Sequence, residues 1–236
     1  MADTRRIELD GGSAVTAVVY PAAEPAIATL VLAHGAGSNQ LSGFMVGFAS
    51  ALAERHIDVV TFNFPFTERG KKMPDPQPVL EGCYRAVLAH VAADPAMGAR
   101  PLFIGGKSLG GRMASHVAAA RDAAESDAVT WWDRLRGLVF LGYPLHPPGK
   151  PHLVRVSHLA GIAHPMLFVQ GSKDAFGTPP ELRVFLDVLP ARSTLHVVEG
   201  GDHSFAVPKR SGVPPDEILR SNTGAVAAWV ASHADA

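Results

Sequence analysis

The chain of 236 residues is 47 % hydrophobic and 18 % charged, which is typical of a globular protein and excludes a disordered or collagen-like chain. Its 21 Lys and Arg residues nearly balance 22 Asp and Glu residues, so a net charge of -1 provides no overall field that attracts nucleic acid or an anionic membrane. The single cysteine, Cys83, cannot form an intramolecular disulfide, and the sequence contains neither a signal-peptide pattern nor an apolar run long enough to cross a bilayer. We therefore expect a cytoplasmic protein that binds neither nucleic acid nor membrane.

Short apolar segments alternate with helical patterns along the chain, which predicts an α/β fold with a mainly parallel sheet flanked by helices. Residues 5–9 and 14–20 flank Gly11-Gly12 and predict a hairpin. Further strands are predicted at Ile27–Ala33, Ile57–Phe64, Pro101–Ile104, Leu138–Leu141, Met166–Val169 and Thr194–Val198. Helices are predicted near residues 43–55, 77–93, 109–124, 179–189 and 215–232.

These elements are spread evenly, so we predict one domain over residues 1–236. The longest irregular connection between predicted strands, residues 144–165, has four prolines in its first half, which favour extended backbone. It is too short for a cap domain. We therefore expect a site that is open to solvent.

The pentapeptide Gly106-Lys107-Ser108-Leu109-Gly110 lies between a predicted strand and a predicted helix. A serine on such a sharp strand-to-helix turn has a strained backbone, and the residues two before and two after it must be small. Gly106 and Gly110 meet that requirement. The same residues match the end of a phosphate-binding P-loop, but a strand precedes them where a flexible glycine loop is required. We therefore interpret Ser108 as a nucleophile.

A serine nucleophile needs a histidine to take its proton and a carboxylate to orient that histidine. His203 lies in a glycine-rich segment after the last predicted strand, and Asp174 follows the preceding strand. The chain order Ser108, Asp174, His203 predicts a catalytic triad. Asp202 is adjacent to His203, which makes an approach to its ring difficult, so we interpret it as a loop acid; Glu199 is a weaker alternative.

The segment His34-Gly35-Ala36-Gly37 ends a predicted strand, and its glycines allow backbone N–H groups to point toward a reacting oxygen. We predict an oxyanion hole formed by the N–H groups of Leu109 and Ala36, with His34 orienting the loop. Four histidines recur every six residues from His146 to His164, but that spacing places them on different faces of a helix, and no cysteine accompanies them. We therefore predict neither a metal nor a cofactor.

The residues described so far resemble the α/β-hydrolase superfamily over nearly the whole chain, in the lidless branch that includes dienelactone-hydrolase-like proteins. Five segments also resemble a group of predicted hydrolases that includes testis-expressed protein thirty and a subunit of the NSL chromatin complex: His34–Met45, Asn63–Phe66, Gly105–Ser115, Leu141–Pro151 and Gln170–Pro179. This resemblance implies a serine hydrolase of mostly unassigned substrate, with Ser108, Asp174 and His203 as its triad. Dienelactone hydrolases themselves use a cysteine nucleophile, so their substrate is not transferred to this chain.

The sequence thus predicts a serine hydrolase that cleaves an ester-type bond of a small-molecule substrate. Lys107, Arg112 and Lys150 are predicted to add positive charge near the mouth of the site and to favour anionic esters. The alternative is a catalytically silent interaction protein with a hydrolase fold, because a fold does not determine a function. The physiological substrate and the oligomeric state stay open.

Overall fold

A computed structural model describes residues 3–120 and 131–235. Its strands are β1 (Asp3–Glu8), β2 (Ala14–Tyr20), β3 (Ala28–Ala33), β4 (Ile57–Phe62), β5 (Leu102–Lys107), β6 (Leu135–Leu141), β7 (Met166–Gly171) and β8 (Ser193–Val198). Its α-helices are α1 (Gly43–Ala53), α2 (Pro65–Glu68), α3 (Gln77–Ala93), α4 (Leu109–Ala119), α5 (Pro179–Leu186) and α6 (Pro215–His233). Three short 3-10 helices span Trp131–Arg134, Ser157–Gly161 and Lys209–Ser211.

The strands form one eight-stranded sheet in the order β1-β2-β4-β3-β5-β6-β7-β8. The β1–β2 hairpin and the β2–β4 pair are antiparallel, whereas β4, β3, β5, β6, β7 and β8 run parallel to one another. Gly11 and Gly12 both have positive φ at the hairpin turn, as the paired glycines predicted. The α/β class and the mainly parallel sheet are therefore confirmed.

Both faces of the sheet are covered by helices, which explains why its strands are continuously apolar. In β3, Val31 and Ala33 pack into one buried cluster with α3 and α4, whereas Leu30 and Leu32 pack into a second cluster with α1 and α6. Side chains of a strand alternate between the two faces, so a strand in the middle of this layered fold has no polar side.

Several predicted boundaries differ from the structure, among them the start of β6 at Leu135 and the end of α5 at Leu186. Strand β5 continues through Gly105 and Gly106 to Lys107, because these glycines pair with β6 and do not yet form the turn. Strand β4 ends at Phe62, where the chain leaves the sheet before the short helix α2. Helix α4 ends at Ala119, and the predicted helical residues 121–124 lie outside the described residues.

The connection between β6 and β7, residues 142–165, contains the 3-10 helix Ser157–Gly161 and otherwise irregular backbone. Within the described residues, no cap domain covers the carboxyl ends of the strands. Since β5, β7 and β8 are parallel, the segments that follow them emerge at one edge of the sheet. This arrangement brings distant parts of the sequence together.

Candidate active site

Ser108 lies at the turn between β5 and α4 with φ 50° and ψ -113°, an uncommon conformation for a residue other than glycine. The turn is possible because the residues two before and two after Ser108 are glycines. A Cβ on Gly106 would stand 2.3 Å from the carbonyl oxygen of Ala33, and one on Gly110 would stand 2.2 Å from the same oxygen. The two glycines therefore allow β3 to approach the turn, which presents the Ser108 side chain at the edge of the sheet.

The structure brings Ser108, His203 and Asp174 together in one hydrogen-bonded chain. Nδ1 of His203 lies 2.7 Å from Oδ2 of Asp174, and Nε2 lies 2.8 Å from Oγ of Ser108. A carboxylate only accepts hydrogen bonds, so the proton resides on Nδ1 and Nε2 is free to accept from the Ser108 hydroxyl. This is the tautomer that a general base requires.

Asp174 has a fully buried side chain, and its carboxylate is held by several donors. The side-chain amide of Gln170 donates to Oδ2 at 2.8 Å, and the backbone N–H of Phe176 donates to Oδ1 at 2.8 Å. Gln170 is itself buried, accepting the Tyr143 N–H at 2.8 Å and donating to the Gly177 carbonyl oxygen at 2.7 Å. Gln170 thus joins the loops after β6 and β7. No sequence pattern singled out Gln170, because it follows the predicted strand Met166–Val169 and only the structure extends β7 through it.

The loop that carries His203 is stabilised by the acid next to it. The Asp202 carboxylate accepts the N–H groups of Ser204 at 2.8 Å and Ala206 at 3.0 Å. The Asp202 side chain therefore organises the loop, as interpreted from the sequence.

The ring of Phe176 stacks on the imidazole of His203 with a centroid distance of 4.1 Å, a contact that the sequence pattern did not predict. Glu199 is exposed.

The loop after β3 lies against the nucleophile. A Cβ on Gly35, the residue before Ala36, would stand 3.5 Å from Cβ of Ser108. His34 is fully buried; its Nε2 accepts the N–H of Phe64 at 3.2 Å, and its Nδ1–H donates to the Gly35 carbonyl oxygen at 2.8 Å. Burial lowers the pKa of His34. A neutral His34 thus braces this loop.

Leu109 is the first residue of α4, and its N–H directly follows Ser108. Within residues 3–120 and 131–235, neither the Leu109 N–H nor the Ala36 N–H donates to a protein acceptor. The N-terminus of a helix carries unpaired N–H groups and a positive partial charge. Both amides therefore remain available for a negatively charged oxygen.

The three basic residues predicted near the mouth occupy different environments. Lys107 points its amino group at the carbonyl oxygen of His203, 2.5 Å away. Arg112, one turn beyond Ser108, donates to the side chain of Gln77 at 3.1 Å. Lys150 is exposed in the loop after β6. The structure thus does not gather the three charges into one cluster.

A search of residues 3–120 and 131–235 finds no group of three or more His, Cys, Asp or Glu side chains that could bind a metal ion. In the same part of the chain, no helix combines the length and the apolar character needed to cross a membrane.

Comparison with known proteins assigns the family. The sequence profile described as "Alpha/beta hydrolase domain" matches residues 26–231. The chain belongs to this α/β hydrolase family. The match begins just before β3 and covers every later element of the described residues except the last two residues of α6. The β1–β2 hairpin lies before it. The match therefore includes the predicted triad and both predicted oxyanion residues.

Several solved structures share the fold of this chain. The α/β hydrolase is similar to a dienelactone hydrolase from Anabaena variabilis, with a TM-score of 0.75, 16 % identity and coverage of 99 % of this chain and 98 % of that chain. It is also similar to a lidless α/β serine hydrolase from Xanthomonas campestris (TM-score 0.71, 19 % identity, coverage 100 % and 96 %). Est1E from Butyrivibrio proteoclasticus, bound to ferulic acid, has a TM-score of 0.77 at 14 % identity, with coverage of 98 % and 100 %. At these identities the likeness shows the fold.

Proposed function

We propose that this α/β hydrolase cleaves an ester-type bond of a small substrate, with Ser108 as nucleophile. The observation that carries the proposal is the hydrogen-bonded chain from Ser108 through His203 to Asp174, with distances of 2.8 and 2.7 Å. A serine hydroxyl is a weak nucleophile by itself, so a base in this geometry is what the reaction requires.

In the first half of the reaction, the Ser108 oxygen attacks the ester carbonyl carbon while Nε2 of His203 takes the hydroxyl proton. The carbonyl oxygen becomes negative, and the N–H groups of Leu109 and Ala36 stabilise it. The tetrahedral intermediate then expels the alcohol, which receives the proton from Nε2. In the second half, Nε2 takes a proton from water while the water oxygen bonds to the acyl carbon. The bond from that carbon to the Ser108 oxygen then breaks, the Ser108 oxygen takes the proton from Nε2, and the carboxylic acid leaves. Asp174 stabilises the imidazolium at both stages.

An activity-based probe tests this proposal. The protein and its Ser108→Ala variant are incubated with a fluorophosphonate and, separately, with p-nitrophenyl esters of increasing chain length. We expect labelling and ester hydrolysis by the protein and loss of both in the variant. Absence of labelling, or equal labelling of the variant, would contradict the proposal and favour the silent interaction protein. A matched Ser232→Ala variant changes an exposed serine of α6, which lies outside the triad and outside the loops that carry it.

We further propose a preference for esters that carry a carboxylate, with Arg112 as the residue that recognises it. Burial and the charge of Arg155 lower the pKa of Arg112, while Tyr143 and Glu81 act in the opposite direction. Within the described residues, neither Arg112 nor Arg155 forms an ion pair with a carboxylate. A guanidinium binds a planar carboxylate through two parallel hydrogen bonds.

The test compares a neutral and a carboxylate-bearing ester of equal length. We expect the protein to prefer the carboxylate-bearing ester and Arg112→Met to reduce that preference about tenfold, the factor that corresponds to one hydrogen bond to a charged group. Equal kcat/KM values of the unaltered protein for the two esters would refute the preference.

A further inference from the structure

Lys107 is a partly buried lysine next to the triad. Its side chain leaves the end of β5 directly before Ser108, and its Nζ donates to the carbonyl oxygen of His203 at 2.5 Å. The rings of Phe44 and Phe205 lie beside the ammonium, with centroids 5.8 and 5.5 Å from Nζ. Aromatic faces attract a cation at such distances. The ammonium therefore has one carbonyl acceptor and two aromatic rings as neighbours.

The space for this contact depends on Gly142, the first residue after β6. A Cβ at this position would stand 2.7 Å from Nζ of Lys107 and 3.1 Å from the carbonyl oxygen of His203. Gly142 also has φ 68°, a conformation that favours glycine. The chain thus places a glycine where a side chain would separate Lys107 from the loop after β8 that carries His203, here called the histidine loop.

The charge of Lys107 is not neutralised by a direct ion pair within the described residues. Burial lowers the pKa of Lys107 to about 8, while the carboxylates of Asp174 and Asp202 act in the opposite direction. At neutral pH the group is therefore still mostly charged. Burying a charge is costly, and an apolar side chain of the same length would fill this space without that cost. The free-energy cost of this charge therefore indicates that Lys107 has a role other than packing.

The other hydrogen bonds of the histidine loop connect it to the loop after β7. The N–H of Lys173 donates to the Gly201 carbonyl oxygen at 2.9 Å, and the N–H of Gly200 donates to Oγ of Ser172 at 2.7 Å. These bonds fix the loop relative to Asp174. Lys107, which directly precedes Ser108, adds a hydrogen bond to the histidine loop from the opposite side.

We propose that Lys107 is a positioning residue, which holds the histidine loop against the nucleophile strand so that the His203 imidazole stays between Asp174 and Ser108. The inference rests on the proposed hydrolase function. Because Lys107 and Ser108 are neighbours in the chain, the bond to the His203 carbonyl oxygen links the backbone of the base to the backbone of the nucleophile. Without it, the hydrogen bonds that the backbone of this loop forms with neighbouring loops come only from the side of Asp174, and the distance from Nε2 to Oγ is less well defined.

Three substitutions test this inference. Lys107→Met gives an unbranched apolar side chain that is one atom shorter and removes both the donor and the charge, whereas Lys107→Gln has the same chain length as methionine and keeps a neutral donor. Lys72→Met alters an exposed lysine and serves as the matched control. We expect Lys107→Met to lower kcat for p-nitrophenyl acetate about 10- to 100-fold with KM changed less than twofold, because a displacement of about 1 Å costs a reaction up to about 100-fold. Lys107→Gln is expected to fall between Lys107→Met and the unaltered protein.

A spectroscopic measurement separates positioning from general stability. In the unaltered protein, the proton shared by His203 Nδ1 and Asp174 gives a far-downfield proton NMR signal, identified by its loss in His203→Ala. We expect Lys107→Met to broaden or shift this signal while its far-UV circular dichroism remains unchanged, and Lys72→Met to retain it.

A Lys107→Met variant with unaltered kcat and NMR signal would overturn the inference, and so would lost activity with an unaltered signal. If Lys107→Met does not fold, a Lys107→Gln variant with unaltered kcat and signal overturns it equally. The NMR signal requires no substrate. Failure of the unaltered protein to react with a fluorophosphonate would therefore contradict the proposed function, while the role of Lys107 would still be decided by the signal.

Discussion

Gln170→Leu is the substitution for which the structure makes the strongest stability prediction. Gln170 is buried in β7, and its side chain takes part in four hydrogen bonds. It accepts from the Tyr143 N–H at 2.8 Å and donates to Asp174 Oδ2 at 2.8 Å, to the Gly177 carbonyl oxygen at 2.7 Å and to the Tyr143 carbonyl oxygen at 3.3 Å. Leucine has a similar volume and replaces none of these bonds.

The expected loss follows from the groups that are left without partners. The Tyr143 N–H and the Gly177 carbonyl oxygen are neutral groups, and each unsatisfied buried group of this kind costs about 1 to 3 kcal/mol. The Asp174 carboxylate loses one of its donors, and a hydrogen bond to a charged group contributes about 1.5 to 3 kcal/mol. Allowing for relaxation and for the added apolar contacts of leucine, we expect the free energy of unfolding to fall by about 3 to 6 kcal/mol. For a chain of this length, that corresponds to a decrease in Tm of about 10 to 20 °C.

Urea unfolding followed by circular dichroism measures this change, and calorimetry gives the shift in Tm. Gln40→Leu provides a matched control, because Gln40 is buried but its side chain donates a single bond, to Thr16 Oγ1 at 2.6 Å. The control should lose about 1 kcal/mol. A Gln170→Leu variant that loses less than about 1 kcal/mol, or no more than the control, would refute the reasoning that the amide network holds the loops after β6 and β7.

Three further predictions concern the site and its surroundings. Asp174→Asn should lower kcat about 10⁴-fold with little change in KM, because an amide stabilises the wrong tautomer of the base; steady-state kinetics with a p-nitrophenyl ester will show it, and a loss below tenfold would contradict the assignment. Gly110→Ala should reduce Tm and soluble yield, since its Cβ would stand 2.2 Å from the Ala33 carbonyl oxygen. As a control, Gly82→Ala in α3, where a Cβ meets no atom within 4 Å, should raise the free energy of unfolding by about 0.5 to 1 kcal/mol. Burial raises the pKa of Cys83 to about 12, so the thiol stays protonated at pH 8. Iodoacetamide should therefore label Cys83 in urea but not in the native protein, as measured by mass spectrometry. Rapid labelling of the native protein would contradict this prediction by showing that the residue is accessible.

The sequence pattern predicted the architecture well because each layer of this fold has its own period. The strands that are covered on both faces are continuous apolar runs, and the helices show apolar positions at helical spacing. The boundary of β5 was predicted too early, because Gly105 and Gly106 are typical of a turn in isolation. In the folded chain they pair with Val139 and Phe140 of β6, and this pairing extends the strand.

The interactions around the predicted triad could be predicted only in part. Ser108, Asp174 and His203 carry local signals, since each lies in a short segment that follows a strand. The contacts of Gln170 and Lys107 carry no such signal, because they join residues from different loops. The sequence analysis assigned Lys107 to the mouth of the site, whereas its amino group contacts the carbonyl oxygen of a residue 96 positions further along the chain.

The sequence by itself thus predicted the α/β class, the order of the strands and longer helices, and the three candidate residues of the triad, because strand periodicity, glycine at the turn and chain order are local properties. Only the tertiary structure decided which nitrogen of His203 faces Ser108, which amide holds the Asp174 carboxylate and which residue the Lys107 ammonium contacts. Those features depend on distances between strand ends that are far apart in the chain, and such distances exist only once the sheet has formed.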